Sequence, residues 1–237
     1  MMSADSRLSA PFFEIGPKNL LRLPAIIEVA LAAVRAGDEN GVSVIVTVPA
    51  PLIAQVQRAV PDVFVFAQTM DDDEPGPSVG RITAESLVDA GARGVMLNHD
   101  SSPLDPTTLA RTVRRASESG LMTMVCAGTD EQALDLARLD PTIVLYEPPE
   151  LIGGAGGGDR PWIRPIDRRV REVAPEVLMM HAGGVAVPED AYRIMRSGAQ
   201  GTGSTSGVLR AASPTDAAAQ FIRAARRGYD EALSAGG

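Results

Sequence analysis

Leu121 to Tyr146 reads LMTMVCAGTDEQALDLARLDPTIVLY, and this single stretch holds a whole strand–helix–strand unit. Leu121 to Cys126 is a continuous run dominated by Met, Val and Leu, the pattern of a strand buried on both faces rather than on one. Asp130 to Leu139 returns its apolar residues at helical spacing, and Thr142 to Tyr146 is a second short buried strand. Two strands joined through a helix lie parallel in one sheet. Outward from this unit the alternation continues in both directions. Strands are predicted at Phe12–Ile15, Val42–Val48, Val63–Ala67, Gly94–Asn98, Val177–His181 and Gln200–Ser204. Helices are predicted at Pro24–Gly37, Pro51–Val60, Thr83–Ala90, Pro106–Ser119, Arg164–Val173, Pro188–Ser197 and Pro214–Leu233. Thr83 and Ser213-Pro214 supply capping and first-turn signals. Eight strands, each followed by a helix, in 237 residues predict a single-domain α/β fold, a closed (β/α)8 barrel. A doubly wound open sheet is the alternative topology. A short echo supports a repeating unit: Ala90-Gly91-Ala92-Arg93-Gly94-Val95 returns as Ser197-Gly198-Ala199-Gln200-Gly201-Thr202. No linker or composition shift divides the chain, so residues 11–237 are expected to form the barrel, with 1–10 loosely attached.

The composition excludes several classes. At 45% hydrophobic the chain is too apolar to be disordered, and its apolar runs are too short to span a bilayer. A net charge of −8 argues against nucleic acid or an anionic membrane as partner. Cys126 is the one cysteine, so no internal disulfide can form; with no apolar leader in Met1–Ala10, the expected location is cytoplasmic. Lys18 is the only lysine among 22 basic residues. A compact ammonium that a guanidinium cannot replace is one reading; a chance surface lysine is the other.

In a barrel of this kind the site lies at the carboxyl ends of the strands. After the first predicted strand come Gly16, Pro17 and Lys18; after the fourth, Asn98, His99 and Asp100. The sixth ends at Glu147 and runs into a glycine-rich stretch, Gly153 to Gly158. The seventh ends at His181-Ala182-Gly183-Gly184 and the eighth at Ser204-Thr205-Ser206-Gly207. Both histidines, the lysine and Glu147 are thus expected on one rim. Taken singly, each has a structural reading: a strand-end histidine, an acid paired with arginine, a solvated loop, ordinary turns. Together they suit proton transfer beside a carbonyl, and glycine turns expose backbone N–H groups to a phosphate. Cys-x-x-Cys and His-x-x-x-His spacings, a phosphate-loop lysine motif and a nucleophile-elbow serine are all missing, so no metal and no cofactor is expected.

Phe66-Ala67-Gln68, Leu97-Asn98-His99, Met124-Val125-Cys126 and Glu147-Pro148-Pro149-Glu150-Leu151-Ile152-Gly153 together resemble the triosephosphate isomerase family, in its short archaeal-type branch. The resemblance runs in order from about Phe12 to Leu233 and implies a TIM barrel. It also implies a cofactor-independent aldose–ketose isomerase of glycolysis and gluconeogenesis, interconverting dihydroxyacetone phosphate and glyceraldehyde 3-phosphate. By resemblance Glu147 is the base, His99 a neutral imidazole that polarises the carbonyl, and Lys18 the positive charge. Backbone groups of Gly153, Gly154, Gly183, Gly184, Thr205 and Ser206 would hold the phosphate, and Pro148 to Gly158 would be a lid. The small phosphorylated sugar would be met by a homo-oligomer, a dimer or tetramer. In the family the loop after the third strand helps form the subunit contact; here Thr69–Gly80 carries Asp71-Asp72-Asp73-Glu74, more suited to a solvated face.

The chain departs from the family in several places. Gly16 stands where the family has asparagine, Asp100-Ser101 replaces Ser-Glu after the histidine, and His181 stands where tyrosine or cysteine is usual. The glycine run at 153–158 differs from the usual lid ending. Such a pattern also suits an isomerase of another short phosphorylated sugar, such as a tetrulose phosphate. A non-catalytic barrel that binds a phosphorylated metabolite is a third reading, opposed by the presence of Glu147, His99 and Lys18.

Overall fold

A computed structural model describes residues 8–151, 158 and 160–235. The chain runs β1 (Phe12–Ile15), α1 (Leu23–Asn40), β2 (Ser43–Val48), α2 (Ile53–Ala59), β3 (Phe64–Ala67), α3 (Ala84–Asp89), β4 (Gly94–Leu97), α4 (Pro106–Glu118), β5 (Met122–Ala127) and α5 (Asp130–Ala137). It continues with β6 (Ile143–Tyr146), α6 (Ile163–Val173), β7 (Leu178–His181), α7 (Pro188–Arg196), β8 (Gly201–Gly203), α8 (Ser206–Leu209) and α9 (Pro214–Ala235). All eight strands pair in parallel and in sequence order, and β8 pairs with β1 to close the barrel. The open-sheet alternative is thereby excluded. Two details differ from the sequence reading. The helix expected from Pro51 opens as a 3-10 turn over Ala50–Leu52, and the single turn α8 stands between β8 and α9. No described helix is long and apolar enough to cross a membrane.

Strand alternation divides the core in two. On β1, Phe13 and Ile15 face the helical shell while Phe12 faces the barrel axis, where it packs with Ile45, Phe66, Met124, Ile143 and Met180. Leu8, ahead of the first strand, is already buried against this inner cluster. The repeated Gly-Ala-x-Gly motif now has a physical account. Gly91 and Gly198 take the left-handed backbone (φ +88° and +104°) that ends a helix tightly. The second glycine of each pair makes room inside the barrel. A Cβ at Gly94 would stand 2.6 Å from the Phe66 ring, and one at Gly201 would stand 2.2 Å from the Phe12 ring. Each glycine is thus matched to the phenylalanine of a neighbouring strand, as the β1–β8 and β3–β4 pairings require.

The acidic stretch after β3 is largely paired within the chain: Asp71 with Arg81 (3.1 Å) and Asp72 with Arg111 (2.6 Å). The expected helix caps form. Thr83 accepts from the Ser86 N–H at 3.3 Å, and the Ser213 hydroxyl accepts from the Asp216 N–H at 3.4 Å.

Gly201→Ala is expected to lower unfolding stability by about 1–3 kcal/mol, because the added methyl overpacks the Phe12 ring in a closed barrel. Chemical denaturation reads this directly, and an unchanged midpoint would show that the ring is not confined.

Candidate active site

β1 ends at Ile15, and the chain turns at once through Gly16 and Pro17 to Lys18, whose φ of +49° is unusual for any residue but glycine. Gln68, at the end of β3, holds that turn by donating to the Lys18 carbonyl at 2.7 Å. The amide of the Phe66-Ala67-Gln68 motif thus orients the backbone that carries the lysine.

His99 is placed by the residue before it. Asn98 sits at φ +59°, donates from Nδ2 to the Cys126 carbonyl (3.0 Å) and accepts from the Leu104 N–H (3.1 Å). These bonds tie the β4 end to β5 and to the chain entering α4. The Ser101 backbone N–H donates to His99 Nδ1 at 3.1 Å, and the Ser101 hydroxyl lies 2.8 Å from the same nitrogen. With Nδ1 an acceptor, the proton of the neutral ring is on Nε2. Burial and the nearby Lys18 charge hold the His99 pKa below its ordinary 6.5, while Asp100 opposes them. With Asp100-Ser101 after the histidine, the tautomer is set by a backbone N–H and not by a side-chain identity.

Glu147 continues β6, its N–H donating to the Ala127 carbonyl at 2.9 Å. Burial raises its pKa above 4.5. Lys18, Arg160 and a bond from the Gly183 backbone N–H lower it, and Asp100 adds to the rise. The result is a carboxylate more basic than one in water, facing two cations. Gly183 must lack a side chain here, since a Cβ would stand 2.9 Å from Leu151 and 3.2 Å from Glu147 Cγ; its φ of +85° is left-handed as well. Gly184 follows at φ +65°. Thr205 and Ser206 open α8, and Ser204 fixes that turn by donating to the Val185 carbonyl at 2.7 Å. Gly153 and Gly154 lie outside the described residues.

His181 is not on this rim. Its side chain points from β7 into the helical shell, 1% exposed, with Nε2 2.7 Å from Asp167 on α6. Its ring packs edge-on against Tyr146, 5.6 Å between centres. Strand alternation decides this: Met180 faces the barrel axis, so its neighbour must face out. The expected convergence of both histidines is corrected to His99 alone.

Sequence reading passed over two groups. Arg160, buried, donates to the Ala182 carbonyl at 2.7 Å and also to the Gly183 carbonyl, bracing the turn after β7. One arginine among many gave no signal. Glu14 had one, an acid inside a four-residue buried strand. The residue is 5% exposed, and Oε1 has no hydrogen-bond partner among the described residues. Burial pushes its pKa up to about 7; the negative Glu147 adds to this, while the Thr47 hydroxyl and Lys18 oppose it.

A family model described as triosephosphate isomerase matches residues 22–224. The match begins after β1, which carries Glu14, and the turn that carries Gly16 and Lys18. The triosephosphate isomerase of Sulfolobus acidocaldarius is 31% identical over 207 residues, covering 86% of this chain and 90% of that one. That of Methanopyrus kandleri is 34% identical over 209 residues, with 86% and 90% covered. That of Pyrobaculum arsenaticum is 35% identical over 188 residues, with 78% and 84% covered.

Glu14 makes stability depend on pH. Its folded pKa lies above its unfolded value, so the folded state binds the extra proton and loses stability as pH rises from about 4.5 through about 7. The loss relative to Glu14→Gln is expected to be about 3 kcal/mol across that window. Denaturation of both proteins at pH 5 and pH 8 measures it, and a pH-independent difference would place the Glu14 proton elsewhere.

Proposed function

The chain belongs to the triosephosphate isomerase family, and from that membership we propose that it interconverts glyceraldehyde 3-phosphate and dihydroxyacetone phosphate through an enediolate. The observation that carries the assignment of roles is the meeting of three strand ends. Glu147 is under the charge of Lys18, and His99, under that same charge, has its proton fixed on Nε2 by the Ser101 N–H.

Glu147 takes a proton from the carbon beside the carbonyl, and its raised pKa makes it a better base for that weak acid. Lys18 and Arg160 work against the burial that would otherwise leave it protonated. As the proton leaves, charge gathers on the carbonyl oxygen, and His99 Nε2–H donates to it as a neutral electrophile. The Lys18 ammonium stabilises the enediolate and draws the phosphate electrostatically. The hydroxyl proton passes from the neighbouring oxygen to the former carbonyl oxygen, relayed by His99 Nε2, and the Glu147 carboxylic acid returns its proton to the adjacent carbon, which completes the isomerisation with no net change in the protein. The phosphate is held by backbone N–H groups of Gly184, Thr205 and Ser206, joined by Gly153 and Gly154 on the segment that follows Glu147, and by the Gly183 N–H where it turns from Glu147 to the phosphate. Left-handed glycines and a helical first turn are the geometry that supports this.

A second reading, an isomerase of another short sugar phosphate such as a tetrulose phosphate, is favoured by one feature. The wall beside Lys18 carries Glu14 and a bare Gly16 instead of the family's asparagine. The working assembly is a homo-oligomer, a dimer or tetramer, in the cytoplasm. Family membership supports the assembly, as does Val79, 93% exposed in the loop after β3. The lone buried thiol of Cys126 fits a reducing compartment.

In a coupled assay with glyceraldehyde 3-phosphate, Glu147→Asp is expected to cut kcat about 100-fold or more, by drawing the carboxylate back from the carbon, while KM changes little. Equal losses in kcat and in phosphate binding would remove Glu147 as the base. Faster turnover of a tetrulose phosphate by the unaltered protein would favour the second reading.

A further inference from the structure

We propose that Glu14 is a further substrate-binding residue of this site: its carboxyl, as the neutral acid, fills the place that Gly16 leaves open and donates a hydrogen bond to an oxygen at the reacting end of the sugar phosphate. This rests on the reading of Lys18, His99 and Glu147 as the site.

The geometry leaves few other roles. Glu14 faces the barrel axis, as Phe12 two residues earlier does, but near the mouth instead of inside the aromatic plug. A Cβ built on Gly16 would stand 2.9 Å from Glu14 Oε1 and 3.5 Å from the Thr205 hydroxyl. The side-chain volume that residue 16 would occupy, next to a proposed phosphate-binding turn, is therefore taken by the Glu14 carboxyl. Gly203 on β8 borders the same residue: its Cβ would lie 2.6 Å from the Glu14 carbonyl, 2.7 Å from Met180 Cε and 3.0 Å from Glu14 Oε2. Gly16 makes room for the acid, and the bare Gly203 backbone borders it on the β8 side.

An acid placed there for structure alone would be expected to pair with a cation or bridge backbone N–H groups. Glu14 makes no ion pair among the described residues, and its Oε1 is an orphan in a nearly water-free setting. The charged and titratable groups acting on it come from separate elements: Lys18 after β1, Glu147 after β6 and the Cys126 thiol on β5, with the Thr47 hydroxyl of β2 beside it. Burial keeps Cys126 a neutral thiol. Among the described residues the one cation acting on Glu14 is Lys18, which also acts on Glu147 and would meet an arriving phosphate. Arg160 acts on Glu147 but not on Glu14, so with Glu147 and a phosphate both charged beside Lys18, a second carboxylate at Glu14 would meet strong repulsion. Glu147 must be ionised to act as base, so Glu14 is the one that keeps its proton. A carboxylic acid held neutral by an apolar wall is a good donor to a developing oxyanion, and the proton stays on Glu14 throughout.

The test compares the unaltered protein with Glu14→Gln, an isosteric neutral donor, and Glu14→Ala. For the unaltered protein, kcat/KM for glyceraldehyde 3-phosphate should fall above a pH near 7 as Glu14 ionises, and this limb should be absent in Glu14→Gln. Glu14→Ala should lose at least tenfold in kcat/KM at pH 6. In parallel, calorimetry of dihydroxyacetone phosphate on Glu147→Ala should show at least tenfold weaker binding when Glu14→Ala is added, with inorganic phosphate bound equally by both. An infrared titration should show a protonated carboxyl band that disappears near pH 7 and is missing in Glu14→Gln. Identical pH profiles in the unaltered protein and Glu14→Gln, or dihydroxyacetone phosphate binding that ignores Glu14→Ala, would overturn the proposal. No turnover of glyceraldehyde 3-phosphate with the binding difference intact would instead overturn the isomerase reading and leave Glu14 in the site. Failure of dihydroxyacetone phosphate to bind at all would overturn both.

Discussion

Closure of β8 onto β1 is the constraint on which the rest of the molecule hangs. The Ser204 N–H donates to the Glu14 carbonyl at 3.0 Å, and Phe12 N–H donates to the Gln200 carbonyl at 3.2 Å, so the last strand completes the first. An eight-stranded barrel is only wide enough to be filled by its own side chains. Bulk placed by one strand must be removed from its neighbour, and the Phe12–Gly201 and Phe66–Gly94 pairs do this in the lower barrel. Near the mouth the same rule governs a polar group: Glu14 is seated against Gly203 and Gly16. Packing and chemistry are therefore set by one geometric condition. The seam that closes the barrel also brings the Thr205 turn beside the start of the chain.

Charge at the mouth is scarce and shared. Lys18 lowers the pKa of His99, opposes the rise at Glu147 and opposes the rise at Glu14. Burial favours the neutral imidazole and the ammonium adds to that; at Glu147 burial favours the neutral acid, and the ammonium, with Arg160, opposes it. The left-handed backbone of Lys18, held by Gln68, fixes where that charge stands. Arginine supplies the other basic residues of the chain, yet its planar, forked head is not interchangeable with a point charge at such a centre. Arg160 is used differently, as a buried brace for backbone carbonyls after β7.

The barrel was legible because its strands are continuous apolar runs separated by capped helices, and each predicted strand lies within two residues of an observed one. Thr83 and Ser213 marked helix starts that the structure uses. What stayed hidden was which way a strand-end side chain turns. His181 and Glu147 end neighbouring strands, yet His181 points into the helical shell and bonds Asp167, a matter of register that position in a sequence cannot supply. Glu14 was hidden for the opposite reason. Its strand reads as uniformly buried, and a lone acid there carries no stated role until the bare backbone at Gly16 shows that space is kept for it. Ser101 shows a third case: the imidazole tautomer is set by a backbone N–H, a group that side-chain identities after His99 do not reveal.

The central claim, proton transfer between adjacent carbons by Glu147, is tested most directly by proton NMR of dihydroxyacetone phosphate incubated with the protein in deuterium oxide. The account requires that the protein exchange a single hydrogen, on the hydroxyl-bearing carbon beside the carbonyl, for deuterium, and that Glu147→Gln abolish the exchange. Retention of both hydrogens during turnover, or exchange that persists in Glu147→Gln, would contradict it.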